Sequence, residues 1–164
     1  MPFKILVFSF LFFVLSCSFS DDRESRPQKL TPPLEQLALS LSEKGLMFNK
    51  QRLIVLTFTS TEGGKNQYGP LLSEKLTTEL VKKDRFHILD RMVHERALKE
   101  KGLSLETNGD MATLRRIGDE LKVDILVTGI VSSYQDGLFV NTRLIEIKSG
   151  LILKAEEVFV PIDL

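Results

Sequence analysis

Residues 121–159 read LKVDILVTGIVSSYQDGLFVNTRLIEIKSGLILKAEEVF. Three β-type runs follow one another here with almost no linker. The first, 125–133, is rich in Ile and Val, residues that pack well on a pleated surface. Tyr134-Gln135-Asp136-Gly137 interrupts it. Asp-Gly tolerates positive φ, so a tight hairpin centred there is the natural reading. The second run, 138–147, ends at Lys148-Ser149-Gly150, and a glycine in that third place suits a left-handed residue with a bulge. The third run is 151–159. This is an antiparallel meander, and the helices that precede it must cover one of its faces.

Upstream, the periods alternate between strand and helix. Residues 34–46 predict a helix, with Leu34, Leu37, Ala38 and Leu41 on one face, Pro33 in its first turn and Gly45 at its C-terminal cap. Its stripe suits packing on the domain. The continuous apolar run Leu53-Ile54-Val55-Leu56 predicts a strand over 52–59, covered on both faces. Tyr68, Leu72, Leu76 and Leu80 stripe a helix over 68–83. A short strand at 86–89 precedes Asp90, which caps a helix over 91–101 that stops at Gly102. Asp110 caps another over 111–121, with Leu114, Ile117 and Leu121 facing in and Gly118 permitting close approach to the sheet. The fold class is therefore α/β: a mixed sheet with a C-terminal antiparallel meander and helices packed against it. Leu76, Leu126 and Leu144 are expected in the core.

The N-terminus reads as an address. Lys4 precedes the unbroken apolar run 5–15, too short for a stop-transfer helix, so 1–16 is read as an export signal. Val14-Leu15-Ser16-Cys17 resembles a bacterial lipobox, and Cys17, the chain's one cysteine, stands where the apolar run ends. Lipidation at Cys17 would anchor the protein without spanning the membrane. The alternative is an ordinary signal peptide cleaved elsewhere. Residues 17–33, with their charges and prolines, read as a lipidated N-terminus and flexible tether. Residues 34–164 read as a single domain.

Chemistry-bearing residues are scattered. Gly63-Gly64-Lys65 follows a strand, yet the first glycine of a Walker loop is missing and Asn66 stands where Ser or Thr should. His87 and His94 have no third ligand nearby and no metal-site spacing. Asp90-Arg91 reads as a helix cap beside a solvated or ion-paired arginine. Asp124 precedes a buried strand, and only a cleft would give it a functional role. There is no Gly-x-Ser-x-Gly elbow and no reactive cysteine. Net charge is zero, which gives no electrostatic footprint for nucleic acid. No catalytic residue, metal ligand, cofactor or small-molecule substrate is expected.

Five runs in this order resemble one group: RLIVLTFT from 52, GPLLSEKLTTELV from 69, FHILDR from 86, IGDELKVDILVTGIVS from 117 and VNTRLIEIKSGLILK from 140. They are similar to the FlgO and CsgG-like bacterial envelope lipoproteins, related in fold to the N-terminal domain of TolB. FlgO is the nearer resemblance, covering about residues 34–160. It implies a non-enzymatic, periplasm-facing envelope lipoprotein tied to flagellar assembly and motility; Ser18 after the cysteine, where an Asp would resemble an inner-membrane retention signal, gives the outer membrane as the expected side. CsgG-like members secrete curli subunits through pores with long membrane hairpins, for which the short turns here leave no strands. Lipoprotein activators of cell-wall synthases share the fold, so that function stays open as an alternative, with a nucleotide-binding domain at the Gly63-Gly64 loop as a third. The meander carries apolar residues on both faces near Leu144, Ile145 and Ile147. Ile145 and Ile147 are thus the expected sites of docking to an envelope partner or of self-association.

Overall fold

Ten-residue strands carry the C-terminal part of the molecule, as the alternating pattern of 125–159 requires. The computed structural model describes residues 27–45, 51–103 and 111–162. In chain order the elements are α1 (Pro27–Gly45), β1 (Arg52–Val55), β2 (Thr59–Ser60), α2 (Gly69–Lys83), β3 (His87–Ile88), α3 (Arg91–Glu100), α4 (Met111–Leu121), β4 (Ile125–Tyr134), β5 (Gly137–Glu146) and β6 (Ile152–Pro161). The sheet runs β3-β1-β4-β5-β6, and β2 pairs with β4 beyond the end of β1. Strands β3, β1, β2 and β4 pair in parallel. The β4–β5 and β5–β6 pairs are antiparallel. The expected mixed sheet with an antiparallel meander is therefore present.

Helices pack on both faces of this sheet. Leu34, Leu37 and Leu41 of α1 and Leu72, Leu76 and Leu80 of α2 pack with Val127, Val140, Leu144 and Val160 in one core. Leu98 of α3 and Ile117 and Leu121 of α4 pack with Ile54, Leu126 and Ile147 in a second. Leu76, Leu126 and Leu144 are all buried, as their strand and helix periods predict. Gly118 brings α4 onto the sheet: a Cβ there would stand 2.7 Å from Ile147 Cγ2. Asp90 caps α3, its Oδ1 accepting from the amides of Met92 at 2.9 Å and Val93 at 3.3 Å. Gly102 follows with φ +63°, a left-handed stop.

Three boundaries differ from the sequence reading, each for a physical reason. The strand expected over 52–59 divides. Val55 pairs with Val127 and Thr59 with Ile130, so four steps on one strand face three on the other. The extra residue kinks the chain as a bulge does. Phe58 turns into the core across Gly129, where a Cβ would lie 2.3 Å from the Phe58 ring. The first hairpin turn also shifts. Tyr134 pairs with Gly137, so the loop is Gln135-Asp136, and Gln135 takes the left-handed φ of 48°. Gly137 serves packing instead, since a Cβ there would sit 2.2 Å from Phe159 Cζ. The second turn is as read, with Gly150 at φ +78° and a register shift between Leu144 and Ile145. Finally, α1 begins at Pro27, so the last stretch read as tether is helical; proline's fixed φ suits a helical turn near its start. The export signal 1–16, Cys17, the tether up to residue 26 and the Asp110 cap lie outside the described residues.

Candidate functional site

Strand β5 shows which surface the sheet leaves for contact. Leu138, Val140, Thr142 and Leu144 point into the core beneath α1 and α2. Their alternates Phe139, Asn141, Arg143 and Ile145 point to the opposite face. At the Ile145 end that face is covered. Ile147 is only 4% exposed, and Ile145 is half-buried against the same α3–α4 core. The expected docking positions Ile145 and Ile147 thus lie under α3 and α4 in this chain, and Gly118 lets α4 come down onto Ile147.

The uncovered surface lies at the other end of the same face. Tyr134, Phe139 and Phe159 come from β4, β5 and β6 and form a tilted aromatic row. Their ring centroids are 5.5 Å apart for Tyr134–Phe139 and 5.2 Å for Phe139–Phe159. Tyr134 is 53% exposed and Phe159 38%. Such rings present large apolar area at small entropic cost, which is why aromatics concentrate in contact surfaces. Gly137 makes the row possible by leaving space under the Phe159 ring. Beside it, the Asn141 amide donates to Glu157 Oε2.

Strand β6 extends this surface to an edge. Among the described residues it pairs with β5 alone, so its outer backbone edge has no strand beside it. Leu151 and Ile152, at its start, are exposed apolar residues. The inner face of β6 is sealed by α1. Lys154 Nζ bridges Glu43 at 2.8 Å and Glu156 at 3.4 Å, and the Ser40 hydroxyl donates to Glu156 Oε1 at 2.6 Å. The hydrogen bond between Lys154 and Glu43 holds the lysine's pKa up and the glutamate's down.

Of the residues with chemical potential in the sequence, Gly63, Gly64, Lys65 and His94 line one crevice, and His87, Asp90, Arg91 and Asp124 are not among its lining. Ser60 and Gly64 close the glycine loop on itself: Ser60 N–H donates to the Gly64 carbonyl at 2.9 Å, Gly63 N–H to the Ser60 carbonyl at 3.0 Å, and Gly64 N–H to Ser60 Oγ at 3.2 Å. The amides of Gly63 and Gly64 are thereby engaged within the loop. His87 is exposed on β3 while His94 is buried in α3. Among the described residues no group of three His, Cys, Asp or Glu could hold a metal. Arg91 pairs with Glu74 at 2.5 Å and Glu95 at 3.7 Å. Asp124 Oδ2 accepts from the Arg52 amide at 3.1 Å, which joins β1 to the start of β4. These are structural contacts.

The aromatic row was not singled out in the sequence. Its signal is an aromatic at each strand end flanking one turn, a cross-strand pattern visible only once the register is known.

A family model described as FlgO protein matches residues 35–164. None of the curated proteins matches the chain. Among solved structures, the LpoB C-terminal domain from Salmonella enterica is similar, with a TM-score of 0.65 at 13% identity, covering 80% of this chain and 98% of that one. The LpoB C-terminal domain from Escherichia coli gives 0.60 at 14%, over 77% and 97%. A lipoprotein from Neisseria meningitidis gives 0.50 at 13%, over 68% and 80%. At such identities these likenesses show the fold.

Proposed function

Because the chain belongs to the FlgO protein family, we propose that it is a non-enzymatic lipoprotein of the bacterial envelope that serves as an assembly or scaffold part of a flagellar or motility-associated machine. Lipid on Cys17 holds it to the membrane, facing the periplasm. Ser18 follows the cysteine, where an Asp would resemble an inner-membrane retention signal, so the outer membrane is the assigned side. The observation that carries the reading is the open aromatic row Tyr134–Phe139–Phe159 beside the unpaired edge of β6. On this reading, a domain that presents a partly exposed aromatic row beside an open strand edge works by contact and not by turnover.

Crosslinking in cells tests this, with Phe159→Lys as the probe. Phe159→Lys should leave the fold intact, at a cost of about 1 kcal/mol or less, and should abolish the crosslinked partner and the motility it supports. A partner retained in full by Phe159→Lys overturns the docking surface. Labelling with a clickable fatty acid should mark wild type and not Cys17→Ala; equal labelling removes the anchor. Identification of the crosslinked partner separates the flagellar reading from the alternative, an activator of a cell-wall synthase, which is compatible with the same fold.

A further inference from the structure

A second opening in the molecule lies away from the aromatic row. The sheet reverses its winding at β1. The chain leaves β1 through α2, which packs on one face, and reaches β4 through α3 and α4, which pack on the other. Crevices at such reversals, outside the carboxyl ends of parallel strands, are where open α/β sheets take ligands. A crevice of about 1160 Å³ lies there, lined among others by Thr57, Thr59, Lys65, His94, Leu98 and Lys99.

Four features of this crevice specify an occupant. First, its wall is an unpaired strand edge. The Leu89 amide donates to the Leu53 carbonyl at 2.9 Å as the last rung between β3 and β1, after which Asp90 turns the chain into α3. The extra residue between β1 and β2 leaves Thr57 exposed, and among the described residues its backbone N–H and C=O make no backbone hydrogen bond. Second, Thr59, whose buried Oγ1 lacks a partner, and the buried His94 both line the crevice. His94 is 2% exposed, and burial holds its imidazole neutral, so the ring can either accept or donate. A buried polar atom without a partner costs about 1–3 kcal/mol, which a bound group would relieve. Third, Leu98 supplies apolar floor. Fourth, Lys65 and Lys99 at the rim enter no ion pair among the described residues, while Glu95 beside them is paired with Arg91.

We infer that this crevice receives an extended segment of a partner protein, laid beside residues 55–57 as a short added strand, with acidic residues flanking one apolar side chain. The Thr57 amide and carbonyl supply main-chain hydrogen bonds, as in other strand-addition complexes. The apolar side chain seats on Leu98, and carboxylates meet Lys65 and Lys99. His94 and Thr59 Oγ1 take up amide or side-chain hydrogen bonds of the segment. This inference does not rest on the aromatic row, since the two surfaces share no residue.

Panning a library of random short peptides against the full chain tests it. Enriched peptides should carry Asp or Glu around one apolar residue. The double variant Lys65→Glu, Lys99→Glu should bind them about tenfold or more weakly, the scale of roughly 1.4 kcal/mol, at an unchanged melting temperature. Repanning on that variant should return basic flanks. Thr57→Pro, which removes the open amide, should lose binding if it melts as wild type does. Phe159→Lys should bind the same peptides undiminished. The inference is overturned if nothing is enriched, if enriched peptides carry no acidic bias, if the charge-reversed variant binds them equally, or if Phe159→Lys is what abolishes binding.

Discussion

Ile147 and Phe159 are both apolar residues of the meander, and they meet opposite fates. Ile147 lies under α4 at 4% exposure; Phe159 stands at the far end with 38% of its surface open. The difference does not lie in residue hydrophobicity. It lies in what the rest of the chain places above each residue. Gly118 brings a helix onto Ile147, whereas Phe159 meets the ring of Phe139, itself flanked by Tyr134. A docking surface is identified by missing cover, and cover is a property of the topology.

Substitutions that exchange the two environments test the contrast most strongly. Ile147→Lys should unfold the domain at ambient temperature, because it puts an unpaired charge beneath α4; a cooperative melt close to wild type would break the comparison. Leu126→Ala, in the same covered layer, should cost about 2–5 kcal/mol by chemical denaturation. An unchanged midpoint would remove that strand from the core. Gly137→Ala should cost about 1–3 kcal/mol, since its Cβ would meet both the Phe159 ring and the Val160 carbonyl, the latter at 2.8 Å. If the cost is nil, the aromatic row is not held where the structure has it.

The smallest effect is in the pH dependence of the covered layer. Burial lowers the pKa of His94 below 6.5; Glu95, the Leu89 carbonyl and Asp90 oppose the shift, and Arg91 adds to it. The unfolded chain therefore takes up a proton at a higher pH than the folded one. Stability should be full above about pH 6.5 and should fall as the pH drops through the folded pKa. Denaturation curves between neutral and mildly acidic pH should show this slope in wild type and a flatter one in His94→Gln. Equal slopes would mean that His94 is not the group responsible.

Most of the framework was readable before the structure. The stripes of α2 and α4, the Asp90 cap and the left-handed Gly150 each rest on a local rule that tertiary context did not override. Apart from the earlier start of α1, the differences are cases where a residue serves a distant neighbour. Gly137 reads as a turn glycine and instead makes room for Phe159; the apolar run after Arg52 reads as one strand and is kinked so that Phe58 can cross Gly129. An isolated glycine within the β4 pattern is itself a sign of close approach, though its partner cannot be named from sequence. Ile145 and Ile147 show the same limit: the pattern shows that a face is apolar and not which helix lies on it.

The seating of α1 has a mechanical consequence. Its leucines pack into the core beside α2, and Lys154 ties its polar side to β6 through Glu43. A pull arriving from the N-terminal side enters the fold at Pro27 and loads this whole helix face along its length. Buried side chains must then slide past the sheet together, and the strand ladders are not opened one rung at a time. Ser40 meets Glu156 and Glu43 meets Lys154, so α1 runs antiparallel to β6 and the load enters at the end of the sheet that bears Phe159.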